Sequence, residues 1–485
     1  MEKLKNYING KLVLPVSKKY LNNFEPATGK VYSLIPDSDE HDVDLAYEAA
    51  ENAFEKWSSM TNEERSKILL KVSQLILANL DKFAAAESKD NGKPVSLARE
   101  VDIPRAVKNF KFFATAILHF ASESHLTDNN TLNYTLRQPI GVIGAISPWN
   151  LPLYLFTWKI APALAAGNCV IAKPSEVTPY TAYLLSQICI KAGMPEGVLN
   201  IVHGLGGKVG AAITHHPGIK AITFTGGTST GADIARVAAP MFKKLSLELG
   251  GKNPVIIFDD CDYNKMLDTT LRSSFSNQGE ICLCGSRIFI HKSIYNKFKK
   301  DFVERTKALR LGDPNDEKTQ QGAIVSEMHY RKILSYIDLA KEEGGNILCG
   351  GNHAGDFTSS NKRCKDGWFI HPTIIENLSY GCRTNQEEIF GPVVTIMPFE
   401  SEEEVLMMAN STQYGLASVI WTENLSRAQR ISQKLKSGIV WVNCWMQRDL
   451  RTPFGGVKNS GVGREGGLEA LRFFTEPKNV TIKFQ

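Results

Sequence analysis

The sequence predicts an α/β protein built on a doubly wound parallel sheet, with a second α/β domain and a small β arm. Three observations carry this reading. From Gly141 onward, apolar β-rich runs alternate with longer helical patterns. A second series of the same kind starts at Asn253. Finally, 485 residues is about three times the commonest domain size, so two or three separate cores are expected.

The elements follow in order. Asp42–Trp57, Glu63–Leu80 and Ala98–Phe120 have amphipathic helical spacing and are expected to pack on the first sheet. Strands are predicted at Gly141–Ile146, Asn168–Ala172, Val198–His203, Lys220–Thr225 and Lys243–Leu249. Helices fall between them at Leu153–Ala166, Pro179–Ala192, Lys208–His215 and Thr230–Met241. Such a βαβ rhythm predicts a parallel sheet covered by helices on both faces. The second series runs from Asn253–Phe258 to Ile439–Asn443. Thr131–Arg137 and Asn479–Phe484 fit neither series and are expected to pair as edge strands between subunits.

Composition narrows the function. Hydrophobic residues at 43% and charged residues at 22% describe a folding chain, not a disordered one. The 56 basic and 51 acidic residues are interleaved and leave a charge of only +5, so no nucleic-acid footprint appears. Nine cysteines, an odd number, are scattered from Cys169 to Cys444, which points to a reducing compartment. The one close pair, Cys282 and Cys284, lacks the spacing of a zinc or redox motif, so no metal is expected. The first ten residues have no apolar run or Arg/Ser-rich amphipathic pattern, and a cytoplasmic protein is expected. Gln138–Trp158 is uncharged and mostly apolar, but Pro139, Pro148 and Pro152 argue against a membrane span.

In open parallel sheets ligands bind beyond the carboxyl ends of the strands. There the sequence places Ser147-Pro148-Trp149-Asn150, Lys173-Pro174-Ser175-Glu176, Gly226-Gly227-Thr228 and, at the end of the fifth strand, Glu248-Leu249-Gly250-Gly251. The turn Thr225–Gly231 lies between a strand and a helix start, where backbone N–H groups and the helix dipole favour phosphate. Neither G-x-G-x-x-G nor a P-loop is present, since Val209 occupies the third glycine position after Gly204 and Gly206. Glu176 can accept hydrogen bonds from a ribose, or it and Lys173 can be solvated loop charges. Cys282 follows Ser276–Ile281 in a polar, glycine-containing loop that suits a nucleophile, although a buried structural cysteine is the alternative. Glu248 ends an apolar strand. Burial there would raise its pKa toward that of a neutral-pH base, unless it is a structural acid paired with a cation. Asn150 is either an amide of the binding crevice or a turn residue before Pro152.

Seven ordered motifs resemble the NAD(P)-dependent aldehyde dehydrogenases over nearly the whole chain: Pro148-Trp149-Asn150, Lys173-Pro174-Ser175-Glu176, Phe224-Thr225-Gly226, Glu248-Leu249-Gly250-Gly251, Gly279-Glu280-Ile281-Cys282, Glu388-Ile389-Phe390-Gly391-Pro392 and Pro453-Phe454-Gly455-Gly456. The resemblance implies a Rossmann-like NAD-binding domain (residues 1–121 and 141–251), a catalytic domain (252–452) and an oligomerisation arm (122–140 and 474–485) that builds a homodimer or homotetramer. It implies Cys282 as nucleophile, Glu248 as general base, and Asn150 with the Cys282 backbone N–H as oxyanion hole. Lys173 and Glu176 would hold the adenosine ribose and Glu388 the nicotinamide ribose. Ser147, Pro148, Trp149, Ser175, Gly207, Gly226, Gly227, Leu249 and Phe390 would complete the NAD site. Glu280 and Gly227 depart from the family's more common Gln and Ser.

Within the family, Asp102–Phe110, Gly279–Cys284 and Asn443–Phe454 resemble the 2-aminomuconic and 2-hydroxymuconic semialdehyde dehydrogenases. This implies an enzyme of aromatic-ring catabolism, on the tryptophan to kynurenine route. Its substrate would carry a carboxylate gripped by Arg105 and Arg448 near Phe454, with Arg451 a competing partner. A broad aliphatic or retinal dehydrogenase and an inactive, crystallin-like structural protein are the alternatives.

Overall fold

The computed structural model describes residues 1–485. The first sheet has eight strands, ordered Gly461–Val462, Lys244–Glu248, Ile219–Thr225, Val142–Ile146, Cys169–Lys173, Leu199–Ile201, Asn6–Ile8 and Lys11–Val13. Its five central strands are parallel and are the five that the sequence predicts. Val142–Ile146 pairs with the next strand on one side and with the fourth on the other, so the strand order reverses there. This switch point opens the crevice in which ligands of doubly wound sheets bind.

Burial on both faces explains the unbroken apolar runs. Val142–Ile146 and Cys169–Lys173 are buried throughout, and so is every residue of the helix Pro152–Ala165 between them. Asp39 and Thr61 cap the first two helices with reciprocal capping boxes. The predicted helix Ala98–Phe120 is divided: a five-residue π-turn, Ala98–Asp102, precedes a helix over Ile103–Ala116, with Pro104 in its first turn. Such wide turns occur preferentially at functional sites.

The second sheet orders Asn346–Cys349, Thr373–Glu376, Val393–Phe399, Gly285–His291, Asn253–Ile257, Ala417–Trp421 and Ile439–Val442. All neighbours are parallel except the first pair. The arm is a three-stranded antiparallel sheet: Thr475–Lys483, Thr131–Pro139 and Ser124–Asp128. The two pieces predicted as edge strands therefore pair with each other, and Ser124–Asp128 completes the sheet. No helix is long and apolar enough to cross a membrane.

Candidate active site

Cys282 lies on the loop that leads into the strand Gly285–His291, and the shape of that loop is fixed locally. Asn277 and Gln278 both take left-handed backbone angles (φ 53° and 55°), which non-glycine residues adopt rarely and at a cost. Side-chain hydrogen bonds hold them: Asn277 Nδ2 donates to the carbonyls of Asn150 (3.0 Å) and Glu280 (3.2 Å), and Gln278 Nε2 donates to the Ala323 carbonyl (3.0 Å). Gly279 follows at φ +70°, where a Cβ would lie 2.2 Å from the Gly391 carbonyl oxygen. Asn253 Nδ2 then clamps the carbonyls of Cys282 (2.7 Å) and Cys284 (2.9 Å).

A crevice of about 240 Å³ brings Cys282 together with Pro148, Trp149, Asn150, Gly226, Gly227, Leu249, Glu388 and Phe390. Residues from five separate segments thus meet at one crevice. The Asn150 carbonyl is held from behind by Asn277, and its residue is buried at the crevice wall. Trp149 packs edge-on against Phe390 at 5.2 Å, and Phe390 is itself left-handed (φ 63°). Gly227 caps the helix Thr228–Ala238, so that helix's free N–H groups begin at the glycine turn. An added Cβ at Gly207 or Gly227 would meet nothing within 4 Å, which leaves room for a ligand against backbone at both positions. Glu388 is half-buried and accepts from the Gly251 N–H (2.7 Å), and a Cβ at Gly250 would strike its other oxygen at 2.4 Å. A phosphate-favouring helix start, open glycine backbone and a half-buried carboxylate acceptor are the donor and acceptor set that a dinucleotide requires.

Lys173 and Glu176 stand at the same edge, but the structure modifies their expected role. They bond each other at 2.7 Å, Lys173 also donates to the Pro174 carbonyl, and Glu176 accepts from the Gly206 N–H at 3.3 Å. The lysine ammonium, outweighing burial, holds the Glu176 carboxyl below its usual range. Ser175 Oγ accepts from the Val177 N–H (3.2 Å), closing the local turn, and Ser147 Oγ is buried without a partner.

The acids around Cys282 are desolvated. Glu248 is buried, and its Oε1 makes no hydrogen bond. Burial, and next the neighbouring Glu465, push its carboxyl well above the usual range; Lys159, Arg448 and Arg464 oppose this. Room for it depends on Gly455, where a Cβ would come within 2.7 Å of Oε1. Burial also raises the Cys282 thiol, with Glu388 and Glu248 adding to the effect, so the thiol is the resting form at neutral pH. Glu280 is pushed well up by burial, and a neutral carboxyl there offers one donor and one acceptor, as glutamine would. That reconciles its departure from the more common residue. His329, 3.8 Å away, is brought down to about 4 by burial and is neutral as well.

Two residues absent from the sequence reading join this floor. Lys159 donates to Glu465 (2.8 Å) and Thr223 (3.2 Å) within the core. Both charges act on Glu248, Glu465 raising its carboxyl and Lys159 lowering it. Lys159 is the only charge in the fully buried helix Pro152–Ala165, a signal visible in the sequence. Glu465 lies in a glycine-rich turn and carries no such mark.

Arg105 and Arg448 do come together. They line one cavity of about 320 Å³ that reaches Ile281, next to Cys282, and both line the outer mouth beyond it. Arg448 donates to the Tyr154 hydroxyl (2.8 Å) and lies 3.8 Å from the centre of the Phe454 ring; the Arg105 guanidinium lies 5.2 Å from the Tyr154 ring. Arg105 Nε and one terminal nitrogen are buried without any acceptor. Arg451 is different: it is largely exposed, is bonded to Asp449 (2.6 Å), and lines only the outer cavity.

Comparison with known proteins matches this arrangement. The aldehyde dehydrogenase family model covers residues 13–480. The chain is 50% identical over 481 residues to human 2-aminomuconic semialdehyde dehydrogenase, covering 99% of this chain and 98% of that one. It is 44% identical over 489 residues to 2-hydroxymuconic semialdehyde dehydrogenase of Pseudomonas sp. (strain CF600), covering 100% of both. An NAD+ complex of the aldehyde dehydrogenase of Bacillus cereus superposes with a TM-score of 0.96 at 37% identity, over 100% of this chain and 97% of that one. The chain belongs to the aldehyde dehydrogenase family, and it is an enzyme of that family.

Proposed function

We propose that this enzyme oxidises the aldehyde of a carboxylate-bearing muconic semialdehyde, with 2-aminomuconate 6-semialdehyde as the substrate and NAD as the acceptor. The observation that carries the substrate class is that two arginines, Arg105 and Arg448, line one cavity that reaches Ile281 beside Cys282, with Arg105 Nε and one terminal nitrogen lacking any acceptor. Buried guanidinium donors without acceptors are costly, and a substrate carboxylate would satisfy them through parallel hydrogen bonds. The names of the relatives point to the same class and, through it, to aromatic-ring catabolism on the tryptophan to kynurenine route.

The residues divide the work as follows. Arg105 and Arg448 hold the acid group and so aim the aldehyde at Cys282. The Cys282 thiol gives its proton to solvent as its sulfur forms a bond to the aldehyde carbon; the C=O π pair moves onto oxygen, which takes hydrogen bonds from the Asn150 carboxamide and the Cys282 N–H. NAD, when bound, supplies the acceptor for the hydride that leaves this carbon. Its adenosine ribose would lie at Lys173 and Glu176, its pyrophosphate at Gly207, Gly226 and Gly227, and its nicotinamide ribose at Glu388. Ser147, Pro148, Trp149, Ser175, Leu249 and Phe390 would complete those walls. Glu248 then takes a proton from water as the water oxygen bonds to the thioester carbon; the C–S bond breaks, and acid and Cys282 are released. The three-stranded arm, with Leu126, Leu136 and Ile482 exposed on its surface and two open edges, supports a role in joining copies of this chain. Nine free cysteines fit a reducing, cytoplasmic setting.

The test is a panel of muconic, aliphatic and retinoid aldehydes with NAD, followed through NADH absorbance. The expected result is a kcat/KM for muconic semialdehydes at least about tenfold above the others, equivalent to ~1.4 kcal/mol of preferential transition-state binding. Equal values would establish the broad-specificity reading, and no turnover with intact folding would establish the structural one.

A further inference from the structure

Behind Asn150 lies a buried cation that no catalytic or cofactor role uses. Lys93 is fully buried and donates to Asp102 (2.5 Å) and to the backbone carbonyl of Asn150 (3.1 Å). The same carbonyl accepts from Asn277, in the loop that carries Cys282. Asp102 closes the π-turn from which the helix of Arg105 starts. Glu87, also near Lys93, accepts from the backbone N–H of Leu153. The lysine backbone is itself fixed, because Gly92 takes φ +89° and a Cβ there would come within 2.6 Å of the Ala323 carbonyl oxygen.

We propose that Lys93 is a positioning residue: it ties the Asn150 backbone to Asp102, and so sets the oxyanion-binding carboxamide and the Arg105 helix in one frame. This deepens the reading of Asn150 as the oxyanion donor and rests on it. The lysine touches neither substrate nor cofactor. It acts by leaving Asn150 one place to stand, with the loop of Cys282 held to the same carbonyl by Asn277. A donor that moves by an ångström loses most of its effect on developing charge.

A double-mutant cycle tests this in the full-length enzyme. Lys93→Met alone leaves the Asp102 carboxylate buried without its cation, so Lys93→Met/Asp102→Leu is made beside it. Each is combined with Asn150→Ala, and kcat, KM, NAD affinity and Tm are measured. The expected result is a loss in kcat of about 10- to 100-fold with Asn150 present and less than about twofold in the Asn150→Ala background, with NAD affinity unchanged. Equal factors in both backgrounds, no loss in either, or failure of both variants to fold would overturn the proposal by making Lys93 a general structural residue. Full activity of Asn150→Ala by itself would overturn the oxyanion reading beneath it. A large Asn150→Ala loss with an additive cycle would remove Lys93 alone.

Discussion

Around Cys282 burial pushes the acids and the thiol toward their uncharged forms, over the buried Lys159–Glu465 pair, whereas the cavity that opens one residue away, at Ile281, is lined by cations with few counter-ions. On the first side, burial lifts Glu248, Glu280, Glu388 and the Cys282 thiol, and it brings the Lys252 amine down to about 7. On the second, Arg105, Lys108, Arg272 and Arg448 face one acid, Glu100. The same desolvation acts on the Arg105 guanidinium and lowers it from its ordinary value, but arginine starts so high that its charge survives. The difference teaches that the same burial favours the uncharged forms of Glu248 and Cys282 but leaves the arginines their charge. On the proposed reading, those cations draw an anionic aldehyde toward Cys282 and Glu248.

The largest expected effect breaks the floor. Cys282→Ala should lower turnover by roughly 10⁴-fold or more, since the covalent path is lost, with NAD affinity unchanged. Intact-mass analysis after incubation with substrate should show no adduct; an adduct would identify Cys284, which lines a small cavity with Cys282, as a substitute. Next, Glu248→Gln should stall after the first half of the reaction. A burst of NADH of about one equivalent per site followed by turnover slowed on the order of 10²- to 10⁴-fold is expected, with acyl-enzyme visible by mass. A linear trace at the parent rate would return Glu248 to a structural role.

Glu280 sharpens the same contrast through stability. Its folded-state carboxyl is raised, while an unfolded one titrates near 4.5, so above that value the folded chain binds a proton that the unfolded chain has released. Stability is therefore lost as pH rises toward the folded pKa. Glu280→Gln removes this dependence, and its advantage in unfolding free energy should grow above pH 4.5 by up to about 1.4 kcal/mol per pH unit. Chemical denaturation at several pH values measures it, and a pH-independent difference would mean that Glu280 is ionised in the fold. The smallest effect concerns the rim. Glu176, held ionised by Lys173, should favour NAD over NADP by a factor of about ten, or ~1.4 kcal/mol, in kcat/KM. Comparable values for both cofactors would show that Lys173 neutralises it.

Much of this was legible before any coordinates. The five parallel strands announce themselves because strands buried on both faces must be continuously apolar, and the crevice residues follow them at once. Glu248 and Asn150 stand out as polar groups at or just past the ends of those runs, and Cys282 by its polar, glycine-containing loop. The short N-terminal strands Asn6–Ile8 and Lys11–Val13 do not, since three residues give no period to read. The pairing of Lys159 with Glu465 spans 306 residues, and the bond from Lys93 to Asn150 spans 57; contacts made by folding leave no spacing in the chain. The same holds for the departure at Glu280, whose neutral state depends on burial that the sequence does not reveal.

The pairing of a neutral floor with a charged mouth is tested most directly by one comparison. The kcat/KM of the parent and of Arg105→Ala is measured for a muconic semialdehyde and for its carboxamide, which keeps the aldehyde and loses the negative charge. The expected result is a loss of about 30- to 150-fold on the acid, matching ~2–3 kcal/mol for one charge-assisted pair in a sheltered site, and less than about threefold on the amide. Equal losses on both compounds, or none on either, would contradict the carboxylate grip and leave Arg105 as a structural residue of its helix.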